Sequence, residues 1–255
     1  MLIKMVVFDL DGTLLRTDKT VSERTKEALR QCQEAGIKTV YATGRGGGAE
    51  TPAPSELFDG KISMNGAIAK VGDKTVYSCL IPCPFARQLL LACDKRGLKI
   101  VSQIAGVHYA NFVLPDEWKD TVSNWEITDF SKHNKDAAKL FTYDLTPEDV
   151  AFITEILPED LYMVIAVDGV AMIMHKNATK SKAVAVLADL WGIKQSEIAA
   201  FGDDLNDIDL LTYAGISVAM GNALENVKAV ARYVCDTNDN DGAAKWIEEY
   251  IKKIS

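Results

Sequence analysis

The chain has 255 residues and a formal net charge of -8, with 48% hydrophobic and 25% charged residues, an ordinary balance for one large domain or two modest ones. The acidic excess excludes a nucleic-acid surface built on basic side chains. No apolar run reaches the length of a membrane helix and the opening breaks into acids too early for a signal peptide, so a cytoplasmic protein without membrane attachment is expected.

Residues 2–8 form an apolar, β-branched run suited to a strand buried on both faces of a parallel sheet. It ends on FDLDGTL, which places Asp9 and Asp11 two apart at the strand end. The stretch SERTKEALRQCQEAG follows, with Ser22 as N-cap and Gly36 as stop, and then IKTVYATGR, a second buried strand running into Thr43, Gly44 and Arg45. Strand, helix and strand make a βαβ unit with a right-handed crossover. GGGAETPAPSE reads as a flexible connection, since neither a P-loop lysine nor a dinucleotide spacing follows its glycines. KISMNGAIAKVGDKTVYSC then gives short hairpin strands punctuated at Asn65-Gly66 and Gly72-Asp73.

From about residue 81 to 177 the rhythm changes. We read a helix (PFARQLLLACDKRG), a hairpin (LKIVSQIAGVHYANF), a helical or irregular stretch (PDEWKDTVSNW), a strand (AKLFTYD), a helix (TPEDVAFITEIL) and a closing hairpin (LYMVIAVDGVAMIMH). That is a self-contained α+β block. Afterwards helices and strands alternate again, through TKSKAVAVLADLWG, EIAAFGDD, NDIDLLTYAG, ISVAM, NALENVKAVA and YVCD to the amphipathic DGAAKWIEEYIKKI. The expected architecture is a doubly wound α/β core, residues 1–80 and 178–255, interrupted by an α+β insertion at 81–177.

Open parallel sheets place ligands at the carboxyl ends of their strands. Asp9, Asp11 and Thr43 fall there, as do Asp203, Asp204, Asn206 and Asp207 of GDDLND. Carboxylates converging from opposite ends of the chain repel unless a cation joins them, and hard oxygen ligands beside a phosphate point to Mg²⁺. A DxD spacing lets one carboxylate attack while the other handles protons. The five cysteines, Cys32, Cys79, Cys83, Cys93 and Cys235, have neither disulfide nor zinc spacing and are read as reduced. His108, His133 and His175 are too scattered to be a ligand set.

DLDGT, TGR, a lysine before a late helix and GDDLND, in that order, resemble the four motifs of the haloacid dehalogenase superfamily. The inserted block and the NGA and GNA signatures, at Asn65–Ala67 and from Asn222, are similar to those of Cof-type phosphatases with a type-IIB cap. The resemblance implies a Rossmann-like core and a Mg²⁺-dependent phosphohydrolase of small phosphorylated metabolites, such as sugar phosphates or phosphorylated cofactors. It implies that Asp9 is the nucleophile forming an aspartyl-phosphate and Asp11 the general acid and then base. Thr43, Gly44, Lys180 and Asn206 would bind the phosphoryl group, with Lys182 as the competing lysine because Ser181 stands where the family has glycine. Asp9, Asp203 and the backbone carbonyl of Asp11 would ligate the metal, supported by Asp207. Within the insertion, His108, Tyr109 and Asn111 are candidates to meet the leaving group. Two other readings compete: a phosphomutase of the phosphomannomutase type, and a phosphorylatable receiver-like module.

Overall fold

The computed structural model describes residues 2–46, 54–113, 115, 124–165 and 169–254. Its chain divides into two compact units, Met1–Arg45 with Glu50–Ser78 and Thr179–Ser255, and Gly46–Ala49 with Cys79–Ala178. Gly47 and Gly48 of the glycine-rich connection lie outside the described residues.

The first unit is built on an eight-stranded sheet. Its strands are β1 (Met5–Phe8), β2 (Lys38–Ala42), β3 (Gly60–Ser63), β4 (Ile68–Val71), β5 (Lys74–Ser78), β12 (Ile198–Gly202), β13 (Ile216–Ala219) and β14 (Tyr233–Val234). Their spatial order is β14-β13-β12-β1-β2-β3-β4-β5. All neighbours from β14 to β3 run parallel, and β4 and β5 continue as antiparallel hairpin strands. Every side chain of β1 is buried, as a central parallel strand covered on both faces requires.

Local sequence sets the helix ends. Helix α1 (Glu23–Glu34) starts at Ser22, whose hydroxyl accepts from the Thr25 amide, and buries Ala28, Leu29 and Cys32 at helical spacing. Helix α4 (Lys180–Trp191) starts at Thr179 and stops at Gly192, where φ is 65°. Helices α5 (Ile208–Tyr213), α6 (Glu225–Val230) and α7 (Gly242–Ile254) complete the unit. The α6 helix begins at Glu225, and the Asn222 side chain ahead of it donates to the Gly12 carbonyl and accepts from the Asn238 amide.

In the second unit, a six-stranded sheet has the order β10-β11-β9-β6-β7-β8. The strands are β6 (Ile100–Ile104), β7 (Val107–Ala110), β8 (Trp125–Ile127), β9 (Lys139–Thr142), β10 (Leu161–Ile165) and β11 (Ala171–His175). Helices α2 (Cys83–Lys95) and α3 (Pro147–Ile156) cover one face, where Leu89, Leu90 and Ile153 pack on Ile100, Leu140 and Ile173. Val101, Ala110 and Phe141 form a smaller cluster with Phe112, Trp125 and Met172.

The stretch PDEWKDTVSNW, read as helical or irregular, contributes only its last residue, Trp125, to strand β8. Trp125–Ile127 pairs in parallel with β7, and three residues carry too little periodicity to announce a strand that its partner defines. Residues 116–123 of that stretch lie outside the described residues. No described helix is long and apolar enough to cross a membrane.

Candidate active site

Strand order builds the site. With β1 between β12 and β2, Phe8 is in register with Phe201 on one side and Tyr41 on the other. The flanking strands run one residue further than β1, to Gly202 and Ala42, and the residues just beyond the three strands, Asp9, Asp203 and Thr43, leave the sheet at one edge. The Asp9 amide donates to the Phe201 carbonyl and the Thr43 amide to that of Ile62, which fixes both ends to their neighbours.

Lys180 is the cation at the centre. It is 1% exposed, and its Nζ donates to Asp9 Oδ1 and Asp207 Oδ1, each at 2.6 Å. Lys182 is exposed; its amide donates to the Thr179 hydroxyl as part of the helix cap. The position of Lys180 depends on Gly66, which has φ 100° and abuts the Thr179 carbonyl so closely that a Cβ there would overlap it. The NGA turn thus seats the first turn of α4 against β3.

Asp207 is fully buried and uses both oxygens. Oδ1 takes Lys180, while Oδ2 accepts from the amides of Asp203 and Asp204 at 3.0 and 3.2 Å. This shapes the GDDLND turn and aims Asp203, whose Oδ1 accepts from the Thr13 hydroxyl at 2.6 Å. Gly12, at φ 78°, lies where any Cβ would run into the Asp203 carboxylate. The glycine of DLDGT is therefore what lets the two acidic loops approach.

Asp9, Asp203 and Asp207 each offer an oxygen within 4.8 Å of the others. Burial pushes the Asp9 carboxyl up to about 7; Lys180 pulls it down, and Asp207 and Asp203 push it up. Burial likewise raises Asp203 to about 6, against the hydrogen bond from Thr13. Burial alone would lower the Lys180 ammonium, but the two carboxylates in contact outweigh it and hold it above its ordinary value. Three carboxylates facing one ammonium leave a negative excess, and an all-oxygen donor set of this kind suits a hard divalent cation.

Asp11 points its carboxylate elsewhere. It receives Arg45 through Nε and Nη2, both at 2.7 Å, and Lys19 Nζ at 2.9 Å. Partial burial would raise its pKa, yet the hydrogen bonds and charges of Arg45 and Lys19 bring it down to about 2. Asp207, expected as a supporting residue, thus completes the carboxylate triangle, whereas the side chain of Asp11 stands in a separate ion pair. The Thr43 hydroxyl is buried and accepts from the Arg45 amide at 3.1 Å. Gly44 lies against the Asn65 side chain, which in turn accepts from the Asn206 amide.

Of the two cations on Asp11, the sequence places Arg45 at the end of the second strand and gives Lys19 no role. The TGR motif contained the signal for the first, whereas the second, eight residues past Asp11, carries none. Of the three leaving-group candidates, Asn111 is structural: its side chain binds Asp94, the Leu98 carbonyl and the Ile100 amide.

The family model of the haloacid dehalogenase-like hydrolases matches residues 6–247. The 5-amino-6-(5-phospho-D-ribitylamino)uracil phosphatase YitU of Bacillus subtilis (strain 168) is 27% identical over 262 residues, covering 97% of each chain. The phosphatase of the same description, YbjI, from Escherichia coli (strain K12) is 27% identical over 275 residues, 99% of this chain and 97% of that protein. Among solved structures, the HAD subclass IIB sugar phosphatase BT4131 is 30% identical, with a TM-score of 0.83 over 97% of this chain and 98% of that one. BT1666 of Bacteroides thetaiotaomicron, a phosphatase of the same superfamily, is 29% identical, with a TM-score of 0.86 over 98% and 95%. With the carboxylate cluster at the strand ends and a family match over nearly its whole length, the chain belongs to the haloacid dehalogenase-like hydrolases and is a phosphatase of that family.

Proposed function

We propose that the protein hydrolyses phosphate monoesters of small metabolites, with Mg²⁺ held by Asp9 and Asp203 and supported by Asp207, and with the phosphoryl group passing through Asp9. The observation that carries this reading is the buried Asp9–Lys180–Asp207 triple beside Asp203. Lys180 occupies Asp9 Oδ1, which leaves Oδ2 to form the bond to phosphorus as the bond to the leaving oxygen breaks. Asp11 delivers a proton to that oxygen. Water then bonds to phosphorus and gives a proton to Asp11 while the Asp9–phosphorus bond breaks, so that both carboxyl groups return to their starting state. Bound Mg²⁺ would neutralise charge on the phosphoryl oxygens.

Asp11 can carry a proton only if Arg45 and Lys19 loosen their hold. A dianionic phosphate competes with Asp11 for the same guanidinium, so substrate arrival frees the acid it needs. The carbonyl of Asp11 joins the metal ligands in this reading. Thr43 and Asn206 contribute polar contacts to the phosphoryl oxygens, and residues 81–177 form the cap that selects the organic part of the ester. Similar proteins named as ribitylaminouracil-phosphate and sugar phosphatases support a small phosphorylated metabolite as substrate. The test is phosphate release from a panel of such esters with Mg²⁺ and after chelation. Release that persists undiminished under chelation contradicts the metal role.

A further inference from the structure

The six-stranded unit holds a cavity of about 130 Å³ at the β7–β8 edge of its sheet, lined by Ile104, Tyr109, Thr128, Lys132, His133, Asn134 and Lys135. All of these residues belong to that one unit. Apart from Ile104, each is of a type that carries a side-chain hydrogen-bond donor, and none is a carboxylate. In a chain of net charge -8, two exposed lysines beside one cavity reverse the prevailing sign locally.

Local sequence holds the run in place. Asp129 accepts from the Ser131 amide and hydroxyl at 2.9 and 2.8 Å and starts the short turn Phe130–Lys132, in which Phe130 is buried in the cluster under α2. Asp136 accepts from the Cys83 amide at 2.8 Å and ties the far end of the run to the start of α2. The carboxylates on either side are thus spent on backbone and hydroxyl groups, and neither Lys132 nor Lys135 forms an ion pair among the described residues. His133 is 9% exposed, and its Nε2 is buried with no hydrogen-bond partner among them. Burial lowers the His133 pKa; a hydrogen bond to the Lys135 backbone opposes this, the Arg87 charge adds to it and that of Asp136 opposes it. A buried ring nitrogen lacking a partner is costly, and an anion held among these cations would offset the cost by making the ring a charged donor.

We propose that this cavity is an oxyanion site of its own, built wholly within the insertion, and that it takes a tetrahedral anion of the size of inorganic phosphate between Lys132, His133 and Lys135. Hydroxyl and amide donors on Tyr109, Thr128 and Asn134 supply further partners, a set that matches four acceptor oxygens better than two. The inference is independent of the phosphatase reading.

The test follows the ring nitrogens of the three histidines by NMR in the full chain labelled with nitrogen-15 histidine, with chelator and at constant ionic strength, as potassium phosphate is added over the millimolar range. Loss of one signal in His133→Gln assigns His133. Bound phosphate should shift the His133 nitrogens saturably toward imidazolium values. Lys132→Met/Lys135→Met should weaken that saturation by about tenfold or more. Lys95→Met/Lys176→Met, which removes the same charge from exposed positions elsewhere in the unit, should leave it unchanged. Circular dichroism and melting of each variant establish folding. Methylphosphonate, titrated in parallel, separates a free ion from the head of an ester: a response to both assigns a head-group site, a response to phosphate alone a free-ion site, and either supports the proposal. A His133 signal that phosphate does not saturate overturns it, as does a saturation that survives Lys132→Met/Lys135→Met or falls equally in Lys95→Met/Lys176→Met.

Discussion

Arg45 grips Asp11 through two parallel hydrogen bonds, Nε to Oδ2 and Nη2 to Oδ1, each 2.7 Å long. This planar fork, joined by Lys19, holds the Asp11 carboxyl at about 2 against an ordinary 3.8. Arg45→Met removes the larger share of the hold and should move the Asp11 titration upward. Lys19→Met should move it in the same direction by less. Carboxyl-carbon NMR of the metal-free protein reads both shifts, and an unmoved Asp11 signal in Arg45→Met would separate the pair from the titration.

The carboxylate cluster should make metal-free stability depend on pH with a definite sign. Asp9 and Asp203 titrate at about 7 and about 6 when folded, above the ordinary 3.8. Groups raised in this way contribute stability that is full below 3.8 and is lost as pH rises through their folded values. A bound cation offsets the repulsion only where the carboxyl groups are ionised. Mg²⁺ should therefore raise the melting temperature more at about pH 8 than at about pH 5 by calorimetry. Equal increments at the two pH values would place the binding outside this cluster.

The two lysines of KSK should differ sharply. Lys180→Met leaves Asp9 and Asp207 buried without their cation, a change of the kind that costs about 3–5 kcal/mol. Lys182→Met, on the exposed side of α4, should stay within about 0.5 kcal/mol of wild type. Denaturant unfolding separates these outcomes, and similar losses from both would contradict the burial argument.

Backbone geometry at the NGA turn gives another test. A Cβ at Gly66 overlaps the Thr179 carbonyl and its φ is 100°, so Gly66→Ala should destabilise by about 1–3 kcal/mol and also displace Lys180. Gly97, at φ 80° with open space around it, provides the comparison. Gly97→Ala should lose stability with little change in kcat, whereas Gly66→Ala should lose both. Equal kcat in the two variants would detach the turn from the active site.

Much of this was legible in the chain because it is local. The buried β1 run, the Ser22 cap and the acid-bearing strand ends are each written within a few residues. What required the fold was adjacency. Nothing near Asp9 announces that β12 lies beside β1, and only that neighbour relation brings Asp203 and Asp207 to it from nearly two hundred residues away. Asp207 looked peripheral because its burial depends on Lys180 and on the Asp203 and Asp204 amides. Asn111 looked available because the carbonyl and amide it satisfies lie across the β6–β7 hairpin.

The most direct test of the central claim is to trap the phosphoryl group on Asp9. Asp11→Asn retains the attacking carboxylate but lacks the base that activates water, so the second step should slow by about 10²–10⁴-fold. In acid-quenched single turnovers with an aryl ester labelled in its phosphate, protein-bound label should map to the peptide carrying Asp9 and be absent from Asp9→Asn. Label on another residue would contradict it, as would phosphate released within the turnover without any label ever bound to the protein.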